Sequence, residues 1–188
     1  MGAIIFRYGA MGASKTANLL MMRYNYIEKG KSAILLKPAI ENRDGDTIIK
    51  SRIGLSAECV YVEDYIKNPE KYDCIIVDEC QFLTTDVVDE LVRIADSYDS
   101  VLAFYGLKTN FQSHLFEGSK RIIELADKIE EIPTICWCGK KARYNARIQD
   151  GKVVTDGAEC VLGGNDTYTA LCRKHYFEKN LGNKKSSI

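Results

Sequence analysis

Three groups of side chains in this chain are of the types and spacings that do chemistry. The first is Gly9-Ala10-Met11-Gly12-Ala13-Ser14-Lys15-Thr16, a glycine-containing run that ends in a lysine and a hydroxyl. Backbone N–H groups of such a loop and of the helix start behind it can surround a phosphate. Lys15 can neutralise the phosphate oxygens, and the Thr16 hydroxyl can ligate Mg²⁺. The usual pattern has glycine where Ser14 stands, so a bulkier Cβ must fit beside the loop. The second group is Asp78-Glu79, directly after the apolar run Cys74-Ile75-Ile76-Val77. A carboxylate there sits at the C-terminal end of a buried strand, where open α/β sheets bind ligands. Asp78 can hold Mg²⁺ through water. Successive strand residues point to opposite faces, which suits Glu79 to a different role, that of accepting the proton of an attacking hydroxyl or orienting it. Hydrolytic ATPases carry such a glutamate too, so Glu79 alone does not separate kinase from ATPase.

The third group is Cys136-Trp137-Cys138 with Cys172 and His175, two ligand pairs about 35 residues apart. Four such ligands fill a tetrahedral Zn²⁺ site, and a filled site is structural. The first pair has one intervening residue where two are usual. Seven cysteines, an odd number without a secretion signal, argue for thiols and metal ligation over a disulfide framework. Cys59, Cys74, Cys80 and Cys160 read as small apolar residues. The plainer readings are a glycine turn opening a helix, a capping acid at Asp78, and free buried thiols beside a surface histidine.

These groups need elements to position them. Ala3–Tyr8 reads as a strand, and Thr16–Lys29 as a helix with apolar residues near helical spacing, so the glycine run lies between strand and helix. Ala33–Leu36, Cys59–Val62, Cys74–Val77 and Val101–Tyr105 are further strand candidates. Thr85–Tyr98 is a helix with Val88, Leu91, Val92 and Ala95 on one face. A last helix near Ser119–Ala126 and a strand near Ile129–Ile132 complete the alternation, which implies a mainly parallel α/β sheet. Glu41 to Ser56 is polar and glycine-containing, long for a compact domain and therefore either mobile or functional, and is expected to be partly disordered. Beyond Pro133 the chain turns rich in glycine, cysteine and turn residues, too short for an apolar core of its own and suited to a metal staple. The expected division is residues 1–133 as the ATP-binding unit, 134–180 as a zinc-binding subdomain and 181–188 as a flexible tail.

Several stretches together resemble one family, the small zinc-containing (type II) thymidine kinases. They are Tyr8–Thr16, Asp78-Glu79-Cys80-Gln81-Phe82, Tyr105-Gly106-Leu107 with Phe111 and Phe116-Glu117-Gly118-Ser119, the cysteine pairs, and Val161-Leu162-Gly163-Gly164-Asn165 with Tyr168. The resemblance implies a P-loop, RecA-like fold with a small zinc-binding lasso subdomain. It implies transfer of the γ-phosphate of ATP to the 5′-hydroxyl of thymidine, giving dTMP for deoxynucleoside salvage. By the same resemblance Glu79 is the base, Arg43 lies near the reacting phosphate, and residues 161–168 close over the nucleoside, gripping the base with main-chain groups. Gln81, Phe82, Leu107, Phe111, Phe116, Val161, Leu162, Gly163, Gly164 and Tyr168 then form the nucleoside site. A homotetramer inhibited by thymidine triphosphate is also implied. Ser14, Glu41 and Asn110 depart from the pattern, as does Gln112-Ser113-His114, which puts substrate affinity in question more than reaction type.

Bulk properties bear on the alternatives. Twenty-six basic and 26 acidic residues cancel, so the chain lacks the basic field that draws proteins onto nucleic acid. The apolar stretch Ala3–Phe6 is too short for a signal peptide, and no segment approaches the roughly 20 apolar residues of a membrane span. A cytoplasmic enzyme is expected, without membrane or nucleic-acid partners. One competitor is a P-loop ATPase carrying a zinc-ribbon nucleic-acid-binding module, motivated by the basic segment Cys138-Gly139-Lys140-Lys141-Ala142-Arg143. Another is an ATP-binding protein with a degenerate substrate pocket.

Overall fold

A computed structural model describes residues 2–40, 47–157 and 167–182. In chain order its strands are β1 (Ile4–Tyr8), β2 (Ala33–Lys37), β3 (Ile48–Lys50), β4 (Ser56–Glu58), β5 (Val60–Tyr61), β6 (Cys74–Val77), β7 (Val101–Gly106), β8 (Lys128–Glu131), β9 (Thr134–Ile135), β10 (Lys141–Ala142), β11 (Tyr144–Gln149), β12 (Lys152–Val154) and β13 (Thr167–Leu171). The helices are α1 (Lys15–Glu28), α2 (Val62–Lys67), α3 (Thr85–Tyr98), α4 (Glu117–Leu125) and α5 (Arg173–Phe177). Among the described residues no helix is long and apolar enough to cross a membrane.

Six strands form one parallel sheet in the order β5-β2-β6-β7-β1-β8. Its central strands are apolar throughout because both faces are covered. On β6, Ile75 and Val77 join Phe6, Leu102 and Phe104 beneath α3 and α4, while Cys74 and Ile76 join Ala103 and Tyr105 beneath α1. Each fully buried aliphatic side chain contributes on the order of 1.5–3 kcal/mol. Parallel pairing places the C-terminal ends of β1, β6 and β7 side by side, so the segments that follow them, 9–16, 78–82 and 107–116, meet above one edge of the sheet. Thr84 caps α3, its side chain accepting a hydrogen bond from the Val87 N–H at 3.4 Å.

The structure revises the sequence reading in three places. The antiparallel hairpin β3–β4 begins within the Glu41–Ser56 stretch expected as loop and runs two residues past it; Ile49 alone is buried between exposed neighbours, too short an alternation to stand out among polar residues. The strand expected at Cys59–Val62 shortens to Val60–Tyr61 because Val62 begins α2, where Glu63 and Asp64 favour a helix first turn. Beyond Pro133 lie the pair β9–β10 and a three-stranded antiparallel sheet, β12-β11-β13. This region does have a small core, with Ala142, Ala146, Val153, Leu171 and Tyr176 packed around Cys136 and Cys172.

Candidate active site and metal centre

The phosphate loop runs from the end of β1 to the start of α1, and two of its glycines are dictated by geometry. A Cβ on Gly9 would stand 2.5 Å from the Ile132 carbonyl oxygen and 2.8 Å from the Ala13 Cβ. Gly12 has φ +75°, in the left-handed region that glycine occupies without penalty. Ser14 also lies in that region, at φ 56° and ψ 30°. The departure at Ser14 is therefore a backbone matter more than one of side-chain bulk: glycine suits this position because the loop turns left-handed there. We expect Ser14→Gly to fold identically and gain about 1 kcal/mol, raising Tm by roughly 2–4 °C in a thermal melt. An unchanged or lower Tm would mean that the serine hydroxyl compensates for the strain.

Lys15 is buried, and its ammonium donates to the carbonyls of Gly9 at 3.1 Å and Ala10 at 3.3 Å. Burial lowers its pKa, opposed by the charges of Glu79 and Asp78. The Thr16 hydroxyl donates to Asp78 Oδ2 at 3.2 Å. Burial, reinforced by the charge of Glu79, pushes the Asp78 carboxyl up to about 7. A divalent cation beside it would draw that value back down. A hydroxyl and a carboxylate side by side at the mouth of the phosphate loop are the oxygen donors that Mg²⁺ takes alongside substrate phosphates.

Glu79 departs from the extended conformation expected of it, adopting φ 49° and ψ 38° at the start of a 3₁₀ turn over Cys80–Phe82. A left-handed non-glycine residue costs of order 1–3 kcal/mol and persists where its surroundings fix it. The surroundings are on hand. Gln81, buried at 3% exposure, donates through Nε2 to Glu79 Oε2 at 2.5 Å and accepts at Oε1 from the Leu107 N–H at 2.9 Å. Gln81 thus holds the carboxylate of Glu79 and ties it to the segment after β7. Lys15, Thr16, Asp78 and Glu79 line one cavity of about 230 Å³.

The β3–β4 hairpin forms another wall of that cavity and brings in Arg52, beside Lys37 from the end of β2; the sequence did not single out either. Lys37 donates to the Ile48 carbonyl at 3.1 Å. The turn is fastened by Ser51, whose Oγ donates to the Leu55 carbonyl at 3.1 Å and accepts from the Leu55 N–H at 3.0 Å. Arg52 projects from this fastened turn, and its positive charge is felt at Lys15.

Of the expected nucleoside-site residues, Phe82 and Phe116 meet edge to face, their ring centroids 6.2 Å apart. Leu107 is joined to Gln81 as described. Phe111 is buried beneath the Arg147 guanidinium, which lies 5.2 Å from its ring centroid. Tyr168 stands on β13, opposite Arg147 in register. Asn110 accepts at Oδ1 from the N–H groups of Gln112 and His114, both at 3.0 Å, closing a turn as well with a neutral amide as a carboxylate would. Arg43, Glu41 and Val161, Leu162, Gly163, Gly164 and Asn165 lie outside the described residues.

Cys136, Cys138, Cys172 and His175 converge, with all their ligand atoms within 4.8 Å of one another. Tetrahedral Zn²⁺ with ordinary bond lengths requires S···S near ~3.8 Å and S···N near ~3.6 Å. Cys138 Sγ and Cys172 Sγ are 3.9 Å apart, and His175 Nδ1 is 3.4 Å from Cys136 Sγ and 3.5 Å from Cys172 Sγ. The four side chains can hold a zinc ion, with Nδ1 as the histidine donor. Trp137 stacks on the His175 ring at 4.2 Å between centroids and 16° between planes, fixing its orientation.

A parallel sheet with helices on both faces, a glycine loop between β1 and α1, and a threonine–aspartate pair at the strand ends define a P-loop phosphate-binding α/β protein. The sequence profile of the thymidine kinase family matches residues 2–176. A thymidine kinase of Streptococcus gordonii is 44% identical over 97% of this chain and 100% of its own length, and one of Lactococcus lactis subsp. lactis is 41% identical over 96% and 100%. The chain belongs to the thymidine kinase family. A crystal structure of Bacteroides Pif1 bound to ssDNA overlays on 69% of this chain and 38% of its own, at a TM-score of 0.44 and 15% identity.

Proposed function

We propose that this protein transfers the γ-phosphoryl group of ATP to the 5′-hydroxyl of thymidine, with Glu79 as the base. The observation that carries the reading is the Glu79 carboxylate, held by Gln81 inside the cavity that Lys15, Thr16 and Asp78 also line. The loop N–H groups and Lys15 bind the phosphates, while Thr16 and Asp78 would hold Mg²⁺, which when bound offsets negative charge on the phosphate oxygens. The 5′-oxygen forms its bond to the γ-phosphorus as the bond to the β-phosphate oxygen breaks, and the hydroxyl proton passes to Glu79. A glutamate is a weak base for an alcohol, so it acts late, as charge develops on the attacking oxygen. Arg52 and Arg43 are the cations assigned to the transferring group. Gln81, Phe82, Leu107, Phe111, Phe116, Tyr168 and residues 161–164 are assigned to thymidine, aromatic faces packing against the base.

The decisive assay incubates zinc-loaded protein with Mg·ATP and thymidine, deoxycytidine, single-stranded DNA or nothing. Thymidine monophosphate matched one-for-one by ADP is expected. ADP release without nucleotide product, stimulated by DNA, would replace the kinase with the ATPase module. Lys141, within the basic segment that motivates that alternative, is paired with Glu131, which leaves less free charge for a polynucleotide.

The zinc is assigned a structural role at the base of residues 161–168, and the division at residue 133 separates the ATP-binding sheet from the metal-stapled one. Inhibition by the end product thymidine triphosphate, occupying the substrate site, is part of the same reading; self-association, with a tetramer as the end state, is supported by a surface feature of α1. That helix buries Ala17, Leu19 and Leu20 yet leaves Met21, Tyr24 and Ile27 exposed at 57%, 64% and 46%, three or so residues apart on one side. Tyr24→Glu is expected to shift the protein to a smaller species in light scattering coupled to size exclusion. The same mass for both proteins would place the interface elsewhere.

A further inference from the structure

One buried side chain joins the small antiparallel sheet to both halves of the candidate active site. Asn145, on β11 and 4% exposed, accepts at Oδ1 from the Met11 N–H at 2.9 Å and donates through Nδ2 to the Thr109 carbonyl at 2.9 Å. Met11 belongs to the phosphate loop after β1. Thr109 belongs to the segment after β7 that carries Leu107, Phe111 and Phe116. β1 and β7 are paired neighbours, and the amide bridges the two segments that follow them. A primary amide carries an acceptor and a donor at one end, which is what two main-chain groups of opposite polarity require. The segment is also fastened to the region beyond Pro133 by Gln112, which donates to the carbonyl of Thr155 just after β12 at 3.0 Å, and by Tyr176 of α5, whose hydroxyl donates to the Phe111 carbonyl. On the phosphate-loop side the Thr134 hydroxyl meets the Gly12 carbonyl only at 3.4 Å in an exposed position, so the Asn145 contact is the firmer one.

We infer that Asn145 is a positioning residue that sets the spacing between the phosphate loop and the nucleoside-side segment, so that the zinc-bearing sheet aligns donor with acceptor. This rests on the kinase reading above. An error of about 1 Å in that alignment costs roughly 10²-fold in rate.

Two variants test it. Asn145→Leu preserves size but removes both polar atoms. Asn145→Asp keeps an acceptor for the Met11 N–H and turns a carboxylate oxygen on the Thr109 carbonyl, where a donor is needed. Each is prepared zinc-loaded, with zinc content and Trp137 emission confirming the metal site, and Mg·ATP affinity is measured directly by calorimetry alongside steady-state kinetics. Asn145→Leu is expected to lower kcat by roughly 10²-fold and raise both KM values at unchanged zinc content. Asn145→Asp is expected to hold Mg·ATP affinity within about twofold while raising KM for thymidine about tenfold, the equivalent of one lost hydrogen bond. Wild-type kcat and KM in both folded variants would overturn the inference, as would an Asn145→Asp loss shared equally by the two substrates. Should Asn145→Leu fail to fold, the Asn145→Asp split decides. Should the wild-type protein make no thymidine monophosphate, the kinase reading falls separately. Calorimetry then still reads the Met11 contact, with Mg·ATP binding weakened in Asn145→Leu but not in Asn145→Asp supporting it and equal binding overturning it.

Discussion

Glu79→Gln is expected to lower kcat for thymidine phosphorylation by roughly 10²–10⁴-fold while leaving the KM for Mg·ATP nearly unchanged. The substitution is close to isosteric, and a glutamine oxygen can still accept from Gln81 Nε2 in place of Glu79 Oε2. It keeps a side chain at the left-handed position, so the backbone at φ 49° meets no new strain. What is lost is the capacity to take a proton as the 5′-oxygen attacks. An interaction made only in the transition state lowers kcat and kcat/KM together, whereas loss of ground-state binding would appear in KM. A kcat within tenfold of wild type, in folded protein that binds Mg·ATP, would mean that the proton leaves by another route, with Asp78 the next acid in the cavity. Gln81→Leu provides a companion measurement. It leaves the Glu79 carboxylate in place but removes the amide that orients it, and a smaller loss in kcat is expected.

The candidate site residues at the strand ends were legible in the sequence because each group is local. Gly9 through Thr16 and Asp78-Glu79 are each contiguous, and an apolar run before each fixes the strand that delivers it. The central strands were legible for a related reason: burial on both faces makes Cys74–Val77 and Val101–Gly106 apolar without interruption. What the sequence hid depends on contacts between distant segments. Arg52 reaches the phosphate cavity only because Ile48–Lys50 and Ser56–Glu58 pair, and three-residue strands carry too little periodicity to be seen. The left-handed turn at Glu79 is set by Gln81 and Leu107, not by any preference of glutamate for that conformation. Asn145 gave no signal at all, since a lone asparagine in a strand reads as a solvated side chain until its two partners, Met11 and Thr109, are known. The small sheet beyond Pro133 was hidden by its composition, because its core rests largely on alanines, cysteines and a tyrosine, with Val153 and Leu171 the only large aliphatic side chains buried in that cluster among the described residues.

Removing zinc is the second large effect. Cys136 and Cys172 sit inside the small core, so a bound metal and the apolar contacts would hold the same residues. The binding free energy of a structural zinc is folding free energy, on the order of 10 kcal/mol or more in small zinc domains. Even a net loss of about 4 kcal/mol, at roughly 2–4 °C per kcal/mol in a chain of this size, lowers Tm by about 8–16 °C. The chain reports the event itself: its single tryptophan, Trp137, stacks on His175 and donates through Nε1 to the Asn180 carbonyl at 3.1 Å. Treatment of the protein with a strong chelator is expected to shift Trp137 emission to the red, lower Tm, and reduce kinase activity in step with zinc lost. Activity is expected to follow even with zinc in the structural role proposed for it, because β11 carries the Asn145 contact to the phosphate loop. Zinc binds cysteine as thiolate and histidine as neutral imidazole, so protons compete with the metal and zinc is expected to leave more readily as pH falls. Unaltered emission and Tm after verified removal of the metal would show that the small core stands without it, and would reduce the four ligands to a site that binds zinc without depending on it.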